Sequence, residues 1–173
     1  MMEVKQHLIS RGMDPDLYNV QYGEDTATFF LYNRSGQIVG FQQYRPNETS
    51  KKINDPRLSR YFTYITESYD GVFGLEVLDT SKDYIFIVEG VFKAAVLHRL
   101  GYNAIAVLTD HPKRMKSWFR VLRRTFKLIA IGDNDSAGQR LVNTVGNGIC
   151  SPCDLDEMPD EEIESFVYLI LSS

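Results

Sequence analysis

Two stretches decide the fold: residues 84–108, YIFIVEGVFKAAVLHRLGYNAIAVL, and residues 127–145, KLIAIGDNDSAGQRLVNTV. The run 84–88 is apolar without alternation, the pattern of a strand covered on both faces. Phe92 to Leu100 reads as a helix that Gly101 closes at its C-terminal cap. AIAVL (104–108) is a second buried strand, 113–126 a second helix, KLIAI (127–131) a third strand and 136–145 a third helix. Strands and helices that alternate over short connections require right-handed crossovers, hence a parallel sheet with helices on both faces. The C-terminal half is therefore α/β.

Upstream the signals differ. A short helix around 3–11 stops at Gly12, and TATFFLYN (26–33) and QIVGFQQY (37–44) form a hairpin across Arg34-Ser35-Gly36. Pro46 and Pro56 keep 46–58 out of strand interiors, so this stretch reads as a loop. The expected organisation is a small α+β N-terminal lobe over residues 1–80, then a parallel-sheet domain over 81–173 that ends in an acidic tail.

The 173 residues fit one domain or one plus an appendage, and 43% hydrophobic content with ten Phe and ten Tyr argues against disorder. No apolar run reaches the roughly 18–20 residues of a membrane helix. The first residues lack the apolar centre of a signal peptide, and two cysteines build no disulfide framework. The expectation is a soluble protein of the cytoplasm.

The net charge of −4 is segregated. Residues 1–80 carry 8 basic and 11 acidic side chains, residues 81–153 carry 11 basic and 5 acidic, and 154–173 carry 7 acidic and no basic ones. On a helical wheel Lys113, Lys116, Arg120, Arg123, Arg124 and Lys127 share one arc, opposite Met115, Trp118, Phe119, Leu122 and Phe126. No acid between Lys113 and Lys127 balances these cations at helical spacing. Such a stripe suits a phosphate backbone, although the acidic tail or another acidic protein would also match it. Lys51, Lys52, Arg57 and Arg60 form a second cluster, with Tyr61, Phe62 and Tyr64 available for stacking or for packing.

Ligands of open α/β sheets gather at the carboxyl ends of the strands. Strand 84–88 ends in Glu89-Gly90, and strand 127–131 ends in Gly132-Asp133-Asn134-Asp135. Residues two apart in extended chain project together, so Asp133 and Asp135 can face one site that Glu89 enters from another strand end. Converging carboxylates raise one another's pKa unless a cation neutralises them, and Mg²⁺ or Mn²⁺ suits hard oxygen ligands. Asp135 is equally placed to cap the following helix.

These residues carry a resemblance. Glu89-Gly90 and Asp133-Asn134-Asp135-Ser136-Ala137-Gly138 resemble the Toprim signature, Glu-Gly after one strand and Asp-x-Asp-x-Ala-Gly after a later one. Toprim domains occur in DNA primases, topoisomerases, nucleases and RNA maturases. Upstream, Arg45-Pro46, Asn54-Asp55-Pro56 and Phe73-Gly74-Leu75 are similar to the lead-in of phage-type primase polymerase domains. Downstream, Asp154-Leu155-Asp156-Glu157 is similar to the acidic segment that follows Toprim in many primases. Lys93 departs from the pattern, standing four residues after Glu89 where primases usually carry Asp.

The resemblance implies a Toprim-like parallel sheet flanked by helices, and a DNA primase catalytic domain that makes short primers on single-stranded DNA in phage DNA replication. Glu89, Asp133 and Asp135 would be catalytic, with Asp154 joining them as ligands of Mg²⁺ or Mn²⁺. Arg45 and Lys93 would hold NTP phosphates, and the two basic clusters would track nucleic acid. Cys150 and Cys153 make one pair where a zinc ribbon needs two, so no zinc is expected, and a helicase or zinc-bearing chain is an expected partner. A nuclease of the same fold, with His111 as the histidine placed to act as base, and a non-catalytic binding module are the alternatives.

Overall fold

The computed structural model describes residues 3–50, 53–66, 71–109 and 111–173. Helix α1 (Val4–Ser10) buries Val4 and Leu8. Strands β1 (Gln21–Tyr22), β2 (Ala27–Tyr32), β3 (Ile38–Tyr44) and β4 (Tyr61–Ile65) form an antiparallel group. Asn33 closes the hairpin between β2 and β3, its Oδ1 accepting the N–H groups of Ser35 and Gln37 at 3.0 Å each. Such an Asx turn is a local alternative to ladder hydrogen bonds.

Strand β5 (Val72–Phe73) leads to β6 (Tyr84–Val88), α2 (Val91–Arg99), β7 (Ala104–Val107), α3 (Lys116–Leu122), β8 (Lys127–Gly132), α4 (Ser136–Val145), β9 (Gly148–Cys150) and α5 (Asp160–Ser172). Among the described residues the nine strands belong to one sheet of order β4-β3-β2-β5-β7-β6-β8-β9, with β1 beside β2. The β7-β6-β8-β9 portion is parallel. Two-residue β5 joins the portions, pairing antiparallel with β7 and with β2 through Tyr32 and Val72. The molecule is thus mixed α/β, with a largely parallel sheet flanked by helices and extended by antiparallel strands.

Side chains alternate strictly across the parallel strands, as the two-residue period of a strand requires. Phe86, Val88, Ala104, Ala106, Ile129 and Ile131 enter one core with residues of α1, α2 and α5. Ile85, Ile87, Ile105, Val107, Leu128 and Ala130 enter the other with Trp118 and Phe119 of α3 and Leu141 and Val145 of α4. Among the described residues no helix is long and apolar enough to cross a membrane.

Two elements differ from the sequence expectation. The helix expected over 113–126 is a 3-10 turn at Pro112–Met115 followed by an α-helix of seven residues. Beyond Leu122 the chain continues in tighter turns, with the Arg124 N–H donating to the Val121 carbonyl and the Thr125 N–H to that of Leu122, before Lys127 joins the parallel ladder opposite Tyr84. The acidic tail ends in α5, where Ile163 and Val167 are buried and Phe166 and Ile170 pack beside them. This i, i+3, i+4, i+7 stripe draws the helix onto the core despite its charge.

Candidate active-site cleft

The carboxyl ends of β6 and β8 open into a cleft of about 450 Å³, walled on the other side by Gln42 of β3 and Tyr61 of β4. Glu89, Lys93, Asp133, Asp154 and Asp156 line it, with Arg11 from the turn that ends α1. Glycine is needed at two positions to build it. A Cβ on Gly138 would lie 2.0 Å from the Asp133 carbonyl oxygen, and one on Gly132 would lie 2.4 Å from the carbonyl oxygen of Gly138. The first turn of α4 therefore packs directly on the backbone that carries Asp133, a contact only residues without a side chain permit.

Glu89 is half-buried, and its Oε2 accepts the Asp133 N–H at 3.2 Å. Burial raises its pKa above the ordinary glutamate value, and the charges of Asp133 and Asp135 push the same way. Lys93 lies in the first turn of α2, its side chain only 14% exposed. Its Nζ donates to Asp133 Oδ1 and lies 3.5 Å from Asp154 Oδ1. Burial opposes the Lys93 charge, but Asp133 first and then Asp154 and Asp156 outweigh it, so its pKa is raised.

Sequence reasoning missed Arg11. Its Nη2 donates to Asp156 Oδ2 at 2.6 Å, and its guanidinium lies 4.0 Å from the Phe92 ring centroid. Burial works against the charge, yet the Asp156 hydrogen bond holds the pKa above the ordinary arginine value. Arg11, Arg60 and His7 all direct nitrogens at the Tyr44 hydroxyl, at 3.1, 3.3 and 2.9 Å. The buried Arg60 Nε has no hydrogen-bond partner among the described residues. The 145 residues between Arg11 and Asp156 leave no local signal of this pair.

The other expected site residues are dispersed. Asp135 is exposed and caps α4, its Oδ1 accepting the Gly138 N–H at 2.7 Å; it is absent from the cleft lining, although its charge reaches Glu89. Arg45 turns to Gln43 at 2.9 Å and to Asp25 at 3.9 Å and is absent from the cleft lining. Arg57 forks onto Asp55 of its own loop at 3.0 and 2.9 Å. Lys51 and Lys52 lie outside the described residues. Lys113, Lys116, Arg120, Arg124 and Lys127 are exposed, whereas the Arg123 guanidinium caps α4 by donating to the Val145 carbonyl. Lys113 and Lys116 line a second cavity of about 610 Å³ with His111 and with Arg140 of α4. Arg140 is isolated in sequence and joins the basic surface only through the packing of α3 against α4. His111 is not in the cleft lining.

The donor set can be tested against the divalent ion that the Toprim resemblance implies. Among the described residues no group of three His, Cys, Asp or Glu side chains converges to hold a metal ion. Lys93 holds oxygens of Asp133 and Asp154, and Asp135 is engaged at its helix. As arranged, these side chains do not fit the ion. Cys150 and Cys153 are both free thiols.

Solved structures that share this fold are catalytic domains of DNA primases. The primase fragment of the bacteriophage T7 primase-helicase protein aligns over 94% of this chain and 72% of its own, with a TM-score of 0.69 and 15% identity. The zinc-binding and RNA polymerase domains of the Aquifex aeolicus primase align over 98% and 55%, with a TM-score of 0.67 and 18% identity. The DnaG primase catalytic domain bound to single-stranded DNA aligns over 97% and 58%, with a TM-score of 0.63 and 18% identity. The chain thus spans little more than half the length of these last two structures. No protein-family model matches the chain, and no curated protein matches it in sequence. At such identities the likeness establishes the fold alone, the one these primase catalytic domains share.

Proposed function

We propose that the chain is a primase-like Toprim nucleotidyltransferase that makes short primers on single-stranded DNA from NTPs, in replication of the phage type. The observation that carries this reading is the cleft at the strand carboxyl ends, where Glu89, Asp133 and Asp154 meet Lys93 within a primase catalytic-core fold. Glu89 is the group to take the proton from the attacking 3′-hydroxyl, since a carboxylate with a raised pKa is a better base. Lys93 and Arg11 supply the positive charge that a triphosphate needs while its bond to the leaving group breaks in line. The exposed cations Lys113, Lys116, Arg120 and Arg124 would track the strand through its phosphates. A helicase or zinc-bearing chain remains a proposed partner, and Mg²⁺ or Mn²⁺ the proposed cofactor, one that the cleft can hold only once Lys93 releases Asp133 and Asp154.

The test incubates the chain with a mixed-sequence single strand, labelled NTPs and Mg²⁺ or Mn²⁺, beside Glu89→Gln and Asp133→Asn. Short labelled products that vanish in both variants support the reading. A shortened strand without products would replace it with nuclease activity. A second reading, a nucleic-acid-binding module without catalysis, is favoured by the ammonium group standing among the carboxylates. It predicts strand binding and no product from any of the three proteins.

A further inference from the structure

The cleft raises a question of charge that the primase reading does not answer. Of its four carboxylates, Asp156 is matched by Arg11 at 2.6 Å. Asp133 and Asp154 come from separate segments, one after β8 and one before the 3-10 turn at Leu155–Glu157, and the Lys93 Nζ stands within ion-pair distance of both. Lys93 sits one turn into α2, and Gly90 and Val91 before it line the same cleft. The side chain has no room to wander: it is 14% exposed, against 25% for Asp133 and 50% for Asp154.

We propose that the Lys93 ammonium is the resident cation of this cleft, filling between Asp133 and Asp154 the place a divalent ion would take, so that such an ion enters only by expelling it. An ammonium and a divalent ion cannot share the same carboxylate oxygens. Both need them at contact distance, and two cations a few Å apart in a half-buried site repel strongly. Lys is suited to the role because its head is a compact point charge with three donors, enough to reach two carboxylates and still present a proton to the cleft. The difference from a metal lies in control. A metal leaves when its concentration falls, whereas a side chain is present at one copy per site under every condition. This inference goes beyond the primase reading and does not depend on it.

The experiment measures Mn²⁺ affinity, from the paramagnetic resonance signal of the free ion, in the absence of strand and nucleotide. Wild type, Lys93→Met, Lys93→Gln and Lys93→Met/Asp133→Asn are compared, each first shown to be folded by circular dichroism. Removing the fixed unit charge is expected to tighten Mn²⁺ binding by at least about tenfold in both single variants. Asp133→Asn should abolish that gain in the double variant. Equal affinity in wild type and in whichever single variant folds would overturn the proposal, as would a gain that survives Asp133→Asn. Because primer synthesis is not read, an inactive protein would refute the primase reading and leave this one standing, and the reverse also holds.

Discussion

The cleft and the outer surface around α3 are both rich in charge and are built on opposite principles. In the cleft the cations are spoken for: Arg11 by Asp156 at 2.6 Å, and Lys93 by Asp133 and by Asp154 at 3.5 Å. Around α3, Lys113, Lys116, Arg120, Arg124 and Lys127 are exposed, and among the described residues none has a carboxylate within ion-pair distance. Paired, half-buried charges are fixed in place and costly to break singly. Unpaired surface charges cost the fold little and remain available to a polyanion. Charge that looks similar in composition is thus held in fixed pairs in one place and left open on the surface in the other.

Substitutions in each region test this contrast. Glu89→Gln should have the largest effect, lowering primer synthesis by about 10²–10⁴-fold, the usual contribution of a general base; strand affinity, read by fluorescence anisotropy, should hardly move. Next, Arg11→Ala strands Asp156, whose side chain is 8% exposed, and should cost about 3–5 kcal/mol in urea denaturation. Arg11→Met with Asp156→Leu should recover most of that loss, because both charges leave together. If Arg11→Ala costs no more than a surface substitution, the cleft pairs are not held as described.

His98 extends the contrast to a group that burial keeps neutral. Its Nε2 faces the Ala104 carbonyl at 2.7 Å and so carries the proton, leaving Nδ1 to accept from the Tyr18 hydroxyl at 2.6 Å. Burial lowers its pKa from 6.5 to about 4. Between those values the unfolded chain binds the proton and the folded chain does not, so stability falls as the pH drops through this window. The loss should reach roughly 3 kcal/mol by about pH 4. Denaturation series at stepped pH should show a shallower slope for His98→Gln.

The smallest change in stability belongs to the outer surface. Converting Lys113, Lys116, Arg120 and Arg124 to Ser should alter the unfolding free energy by less than about 0.5 kcal/mol per site. The log–log salt dependence of strand binding should nevertheless flatten by about 0.7 for each phosphate that is no longer neutralised. An unchanged salt slope would show that the strand lies elsewhere.

How much of this is legible in sequence follows from the range of each signal. Strand β6 coincides with the apolar run 84–88, and α4 with the expected 136–145, because an unbroken apolar stretch, an Asp cap and a Gly stop are all local. Glu89 and Asp133 can be placed at strand carboxyl ends for the same reason, whereas the adjacency of β6 and β8 in the sheet is a long-range fact. Helix α3 is shorter than its pattern suggests because both ends tighten into turns with i→i−3 hydrogen bonds, at Pro112–Met115 and after Leu122, which side-chain periodicity does not distinguish from an α-helix. Helix α5 hides in the sequence because four acids in its first five residues mask the stripe Ile163, Phe166, Val167, Ile170. The bridging position of Lys93 and the entry of Arg11 are beyond reach, since each depends on three or more segments meeting.

The backbone contact between Gly132 and Gly138 has a consequence for a complete substitution scan of this chain. Selected for folding alone, these two columns should be nearly blank, while Asp133 between them accepts many residues. Selected for activity, the three columns should look alike. Subtracting one map from the other would separate the carboxylate's chemistry from the scaffold that holds it, with no assumption about what the cleft binds.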